Sequence, residues 1–465
     1  MVIVSVLLIA LLIRVVGINQ SFWLDEAAQM IESVRPLAQQ FDIAGDFQPP
    51  LFHILLHFWL QVSQLEVWAR LLPVLFGLLT VYLVFKIGMK LYSRSVAITA
   101  ALLMATAPFH YYYSQEVRPY ALAALLGLAT CYFLLQKKWE LYTVATILFV
   151  YTTYPASFLL LAQGIWLLVN NRNEFKSWTK SMVVSLLAFL PWVPVFLRQL
   201  GIGSSLTVTL PGWSEAVSTP LIKALPLTAA KFFLGHISIA DDFLYAALVS
   251  GLVAFLVSGV WRLWLREREK TETVLILGAV PIITAFLFSF LLPVFAPQRV
   301  LFCLPFFYLT LAAIAHSFGR LRLIIVLACL GLNLLAISSF MLHPEFQREE
   351  WRQAVAYVEA DARGSSVAIF SFPDAFAPWL WYSRELVPFI AIAPDFRVTA
   401  QSLRIYQDRI MSQQRVYYFH YLADLTDPDK LGPQFLEDLG LVHTMTKDFP
   451  GVGFISLYEK ILVSR

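Results

Sequence analysis

The chain has 465 residues, of which 59% are hydrophobic, 15% aromatic and only 14% charged, with a mean hydropathy of +0.69. Soluble globular domains carry about 25% charged residues, so the composition excludes that class and indicates a polytopic membrane protein. The net charge of +3 conceals a division: residues 1–342 hold 22 Lys+Arg against 15 Asp+Glu and residues 343–465 hold 12 against 16, which marks two domains of different kinds.

Residues 1–18 are apolar but lack the basic start and small-residue cleavage site of a signal peptide, and read as a retained first helix. "FWLDEAAQM" follows and puts Asp25 and Glu26 where the chain first leaves the membrane. The outer loop 19–69 also contains "GDFQPPLFH"; Pro49 and Pro50 set an extended entry to an interfacial helix over "PLFHILLHFWLQV". A membrane helix needs ~20 mostly apolar residues. On that template further spans fall near 70–89, 95–110, 119–136, 139–153, 156–170, 181–197, 243–262, 274–293, 299–316 and 322–341, about eleven with the first. Residues 139–170 read as two short helices turning at "TTYPAS", because one long span would put Arg266, Arg268 and Lys270 on the wrong side. With a cytoplasmic N-terminus, Lys and Arg favour the inner loops two to one, which places the C-terminal domain outside the cytoplasm.

A second outer segment, 198–242, is long enough to fold and carries Trp213 and Lys223. After His343, "EEWRQAVAYVEAD" has helical spacing, while "SSVAIFSF", "RVYYFHY" and "GFISLYEK" read as strands. The expected fold class is therefore an α-helical polytopic membrane protein, 1–342, with a small extracytoplasmic α/β domain, 343–465. Cys131, Cys303 and Cys329 all lie in apolar stretches, so neither a disulfide framework nor a thiolate metal site is indicated. No basic run interleaved with aromatics suggests a nucleic-acid partner.

Ionisable residues near hydrocarbon are costly and point to function, and several converge on the outer rim. In "YYYSQEVRPYAL", Pro119 disfavours helix at Arg118, so 114–118 is expected to be extended, with Ser114, Glu116 and Arg118 on one side. A carboxylate and a guanidinium would share that small site, which is equally the pattern of an ion pair closing a loop. Arg299, in "FAPQRVLFCLPF", opens the tenth span at the same level; it could bind an anion or snorkel to the interface. Asp25 and Glu26, adjacent on a helix, cannot both reach one point. His53 and His57 have a zinc-compatible i, i+4 spacing without a declared third ligand, so no metal site is assigned. No cofactor is assigned either, although one or two of the carboxylates could hold Mg²⁺ or Mn²⁺.

Four ordered segments, "WLDEA", "QPPLFH", "YSQEVRPYAL" and "PQRVLFCLP", together resemble the GT-C superfamily of membrane glycosyltransferases, in particular the protein-mannosyltransferase-like and aminoarabinose-transferase-like enzymes of bacteria. The resemblance implies an inverting transferase of the bacterial inner membrane. It would move a hexosyl or pentosyl group from a polyprenyl-phosphate-linked sugar to an extracytoplasmic hydroxyl of a glycan, lipid or protein. Carried over residue by residue, Asp25 would be the general base with Glu26 its neighbour, and Arg118 and Arg299 would bind the donor phosphate. Ser114, Glu116, Tyr120, Gln48, Pro49 and Pro50 would orient the site, and the outer segment 198–242, with Trp213 and Lys223, would help form the acceptor side. Gln48 departs from the His usual before the proline pair in protein mannosyltransferases. The alternative class is a transporter or flippase of a lipid-linked or polar substrate, which would call for interrupted helices at mid-membrane and related halves; a scaffold is a third.

Overall fold

The computed structural model describes residues 1–43, 45–209, 218–293, 295–373 and 376–460. Trp213, expected on the acceptor side, lies outside the described residues. Among these residues six helices are long and apolar enough to cross a membrane: Glu66–Leu91, Arg172–Ser205, Asp242–Arg266, Arg268–Phe288, Pro297–Ser317 and Gly319–Leu342. Shorter apolar helices occupy other expected spans. In chain order the first part comprises α1 (Val2–Val15), α2 (Leu24–Val34), α3 (Leu51–Leu60), α4 (Glu66–Leu91), α5 (Arg94–Ala105), α6 (Pro108–Tyr113), α7 (Tyr120–Leu135), α8 (Trp139–Val150) and α9 (Ala156–Asn170). It continues with α10 (Phe175–Phe189), α11 (Val193–Thr209), α12 (Leu221–Leu234), α13 (Asp242–Arg266), α14 (Arg268–Phe288), α15 (Leu304–Ser317) and α16 (Arg322–Leu342).

Two local features refine the spans read from sequence. The stretch 139–170 is two helices, α8 and α9, joined across Tyr142 and Gln163, whose hydroxyl and amide oxygen bond at 2.6 Å. The span expected over 95–110 is instead broken at Thr106–Ala107, because Pro108 brings no N–H to continue α5 and starts α6 in its own favoured first position. The break leaves the Ala105 carbonyl without a helical partner. Arg14, fully buried on α1, supplies one: its Nη1 donates to Ala105 O at 2.8 Å and to Ala10 O at 3.1 Å, and Nη2 meets His110 Nδ1 at 2.8 Å. A guanidinium in an apolar helix thus satisfies the Ala105 carbonyl that the helix break orphans.

The chain divides into two compact units. The first contains Met1–Ile18, Glu32–Ser204 and most of the helices up to Leu342. Within it α7 packs on α4, α8 and the 3-10 segment Pro297–Cys303. Small residues permit that approach, as in membrane bundles generally: a Cβ at Gly127 would lie 2.9 Å from Phe302 Cβ.

The second unit combines Asn19–Ile31 with the chain from His343 onward. Its elements are α17 (Trp351–Asp361), β1 (Ser366–Phe370), α18 (Ala377–Tyr382), β2 (Phe389–Ala391), α19 (Ala400–Met411), β3 (Arg415–Phe419), α20 (Ala423–Thr426), α21 (Leu431–Asp438), β4 (Leu441–Phe449) and β5 (Gly453–Lys460). The sheet order is β2-β1-β3-β5-β4, parallel across β2, β1 and β3 and antiparallel from β3 through β5 to β4. Alternation splits β1 between two cores: Ala368 and Phe370 join Trp351, Val355 and Trp379, while Val367 and Ile369 join Ile390, Leu403 and Ile410. Both faces being covered, "SVAIF" is buried throughout.

Candidate active site

Asp25 and Glu26 occupy the first turn of α2, where free backbone N–H groups favour negative charge. A helix advances about 100° per residue, so adjacent carboxylates meet different surroundings. Glu26 is fully buried and pairs with buried Arg348 at 3.5 Å, whereas Asp25 is half-buried. The entry to α2 is tied down at three points. Leu24 N–H donates to Glu349 Oε2 at 3.3 Å, the Ser21 hydroxyl to the Glu349 carbonyl at 2.6 Å, and Phe22 N–H to the Tyr382 hydroxyl at 2.6 Å.

The first unit holds a second cluster, built around Asp46. Arg118 Nη1 donates to Asp46 Oδ2 at 3.2 Å and Nη2 to Oδ1 at 3.1 Å, a fork on a fork. His53 Nε2 meets Asp46 Oδ2 at 2.9 Å, Gln48 Nε2 donates to Oδ1 at 3.1 Å, and Glu32 lies 3.8 Å from His53 Nδ1. Burial alone would raise the Asp46 carboxyl; the Arg118 charge and the His53 bond instead hold it well below the usual carboxylate range. Glu32 is pushed the other way, by burial first and by the Asp46 charge second.

The loop that presents Asp46 and Gln48 is fastened from behind. Gln199, on α11, uses its one amide nitrogen on three carbonyls, Ile43 at 3.0 Å, Asp46 at 2.7 Å and Gln48 at 3.1 Å. Tyr154 donates to the Gln199 amide oxygen and accepts from Trp192 Nε1 at 2.9 Å. Pro50 caps α3, whose first N–H, from Leu51, donates to Tyr151 O at 3.0 Å. The proline pair thus ends the fastened loop and starts the helix that carries His53.

The segment 114–118 differs from the extended strand expected. Ser114 is helical, Gln115 N–H donates to Tyr112 O at 3.1 Å, and Arg118 N–H turns back to Glu116 O at 2.7 Å. The reason lies upstream: Pro108 starts α6, and the chain must reverse within a few residues to enter α7 after Pro119. The Ser114 hydroxyl donates to His110 O at 2.6 Å, and a Cβ at Gly77 would come within 2.9 Å of Ser114 Cβ, so Ser114 packs on α4. Glu116 is buried, and Tyr120 opens α7 with its ring edge-on to Tyr113 at 5.0 Å. Arg299 is half-buried in the 3-10 segment Pro297–Cys303, which packs on α7. His57 is not part of the Asp46 cluster: its Nδ1 bonds Ser33 O at 2.9 Å.

Residues 47–197 match the dolichyl-phosphate-mannose-protein mannosyltransferase family. The fold is similar to that of ArnT from Cupriavidus metallidurans bound to undecaprenyl phosphate, with a TM-score of 0.61, 13% identity, and coverage of 99% of this chain and 98% of that one. It is also similar to the Archaeoglobus fulgidus oligosaccharyltransferase in complex with Zn and sulfate, with a TM-score of 0.57, 12% identity, and coverage of 98% of this chain and 73% of that one. The chain has a GT-C fold.

No curated protein sequence matches it. The family match and the shared fold bear out the resemblance read from four ordered motifs, and two of the motifs, "QPPLFH" and "YSQEVRPYAL", lie in the matched stretch. Of the Asp46 cluster, Gln48 and Arg118 were expected from the sequence and Asp46 itself was not, although "GDFQPPLFH" shows it two residues before Gln48. Glu32, Asp46 and His53 offer three ligand atoms within 4.8 Å of one another, a set suited to a divalent cation. Each Asp46 oxygen already accepts two donors, Arg118 with His53 on Oδ2 and Arg118 with Gln48 on Oδ1, so a cation there would have to displace one of them. Arg348 and Glu349 were also unselected; no local pattern ties them to residues more than 300 positions earlier.

Proposed function

We propose that the protein is an inverting glycosyltransferase that takes a hexosyl or pentosyl group from a polyprenyl-phosphate-linked donor and passes it to a hydroxyl of a glycan, lipid or protein. The observation that carries the reading is the full-length likeness to ArnT, a protein solved with undecaprenyl phosphate bound, together with the mannosyltransferase match over residues 47–197. Fold alone does not assign chemistry, so the residues must supply it. An acceptor hydroxyl needs a base, and half-buried Asp25 at a helix N-terminus is suited to that role. Its neighbour Glu26 is committed to Arg348 and holds the helix in place.

As the glycosidic bond breaks, the departing polyprenyl phosphate gains negative charge and needs preorganised cations. Arg118 and Arg299 are assigned that task. Arg118 arrives pre-set, because Asp46 fixes the plane of its guanidinium through both Nη atoms. Gln48, Pro49, Pro50, Glu116 and Tyr120 then shape the surroundings, with Ser114 acting through packing. The loop asymmetry in Lys and Arg supports an extracytoplasmic C-terminal domain, and an inner bacterial membrane suits an undecaprenyl carrier. A transporter reading draws no support from a fold held in common with two glycosyltransferases.

The test uses full-length protein in detergent with undecaprenyl-phosphate mannose, glucose and 4-amino-4-deoxyarabinose, each labelled in the sugar, and bacterial envelope extract as acceptor. Transfer of label from one donor, with inversion at the anomeric carbon, is expected. Binding of all three without any transfer would overturn the enzymatic reading.

A further inference from the structure

The second unit contains a carboxyl that neither the sequence pattern nor the proposed roles use. Glu349 precedes α17, and its side chain gathers donors from three places: Trp351 Nε1 at 2.6 Å, the Tyr421 hydroxyl at 2.9 Å and Leu24 N–H at 3.3 Å. Its main chain is held as well, since the Ser21 hydroxyl donates to its carbonyl. Leu24 is the residue immediately before Asp25 and opens the helix that carries it. The neighbouring Arg348 is turned to Glu26, and its own N–H donates to Gln20 Oε1 at 3.1 Å. Two successive side chains from the C-terminal domain therefore grip the first turn of α2, one by an ion pair and one by a cap.

We propose that Glu349 is a positioning residue for Asp25, fixing the first turn of α2 and setting the charge that stands beside the Asp25 carboxylate. The proposal rests on Asp25 as the base, and it makes the C-terminal domain part of the catalytic apparatus. Burial pushes the Glu349 carboxyl up to about 7, and the Asp25 charge adds to the rise, while the bonds from Trp351, Tyr421 and Leu24 work against it. The groups facing it are Asp25 and the Leu24 N–H from α2, Trp351 from α17, and Tyr421 after β3. His420 and Asp448 line the same open cleft. Near neutral pH Glu349 therefore passes from neutral to anionic. A second negative charge next to Asp25 makes Asp25 a stronger base, because like charges disfavour ionisation.

The experiment has two arms on full-length protein. In the first, carbodiimide labelling of Glu349 is followed by peptide mass spectrometry from acid to alkaline pH, since only the protonated carboxyl reacts. Half-labelling is expected near neutrality, moved down by about half a pH unit or more in Asp25→Asn and up in Tyr421→Phe, which removes a donor to the ionised form. An unmoved midpoint in Asp25→Asn overturns the proposal, and this arm needs no substrate. In the second arm, kcat against pH is measured with the undecaprenyl-phosphate sugar that supports transfer. Wild type is expected to show an inflection near neutrality that Glu349→Gln loses with KM unchanged. A purely structural cap would lower the amount of folded protein and leave the profile's shape intact, which also overturns the proposal. Full transfer by Asp25→Asn, with its labelling shift present, would instead refute the base assignment.

Discussion

Arg118 and Asp46 meet through both guanidinium Nη atoms and both carboxylate oxygens, at 3.2 and 3.1 Å, although 72 positions separate them in the chain. Arg118 is only 6% exposed. Removing one partner of such a buried pair costs about 3–5 kcal/mol, because the other charge is left uncompensated. Asp46→Ala is therefore expected to lower the melting temperature of the purified protein sharply. Arg118→Lys keeps the charge but loses the planar fork, and should reduce transfer about tenfold or more with a smaller loss of stability. Equal melting temperatures for wild type and Asp46→Ala would show that the pair contributes nothing.

Asp25 and Glu26 should separate in mutagenesis. Loss of a positioned base typically costs about 10²–10⁴ in rate, so Asp25→Asn is expected to abolish measurable transfer while retaining donor binding. Glu26→Gln leaves Arg348 buried opposite a neutral amide, and its expected effect is on stability, with transfer persisting in the folded fraction. Transfer assays paired with melting curves distinguish the two.

Gln199 offers a third test, because one side chain holds three carbonyls of the loop before Pro49. Gln199→Ala removes bonds worth about 1 kcal/mol each and frees the loop that aims Asp46 and Gln48. The expected result is a raised KM for the polyprenyl-phosphate donor. Gln199→Glu should be worse, since an acceptor would then face three carbonyl oxygens.

Stability should also depend on pH through Glu349. A carboxyl that holds its proton more tightly when folded stabilises the fold fully below its ordinary value, here 4.5, and loses that contribution as pH rises through about 7. The difference is on the order of 3 kcal/mol. Wild-type melting temperature is thus expected to fall from about pH 5 to about pH 8, and Glu349→Gln should flatten that slope. Asp46 has the opposite sign: its depressed value contributes stability at neutral pH that disappears only in strong acid.

How much of this could be read from the chain depends on the range over which each signal acts. The long apolar helices, the α8–α9 hairpin and strands β1, β3 and β5 announce themselves through local hydropathy and alternation. Strand β4 did not, because "LVHTMTKDF" is exposed over seven of its nine residues, five of them polar, and owes its conformation to pairing with β5. The break in the 95–110 span was legible in Pro108 and was passed over. So was Arg14, whose position inside an apolar helix already asks for partners. The Asp46–Arg118 pair and the grip of Arg348 and Glu349 on α2 join distant positions through tertiary contacts, and no spacing rule applied to one chain reaches across them. Asp25 stands out in the chain at a charge discontinuity; Arg348 and Glu349, which hold the turn that carries it, do not, because they follow it by more than 300 positions.

Helices α8 and α9 have 12 and 15 residues, about 18 and 22 Å of rise, against a hydrocarbon layer of about 30 Å. In a bilayer such a hairpin draws the head groups inward or admits water alongside it, at a modest cost for each ångström of mismatch. Tyr151 and Tyr154, at the turn of that hairpin, are bound to the loop of Asp46 through Leu51 and Gln199. The short hairpin and the loop of Asp46 are thereby one connected piece: whatever moves the turn at Tyr151 and Tyr154 also moves the fastening that holds Asp46 in register.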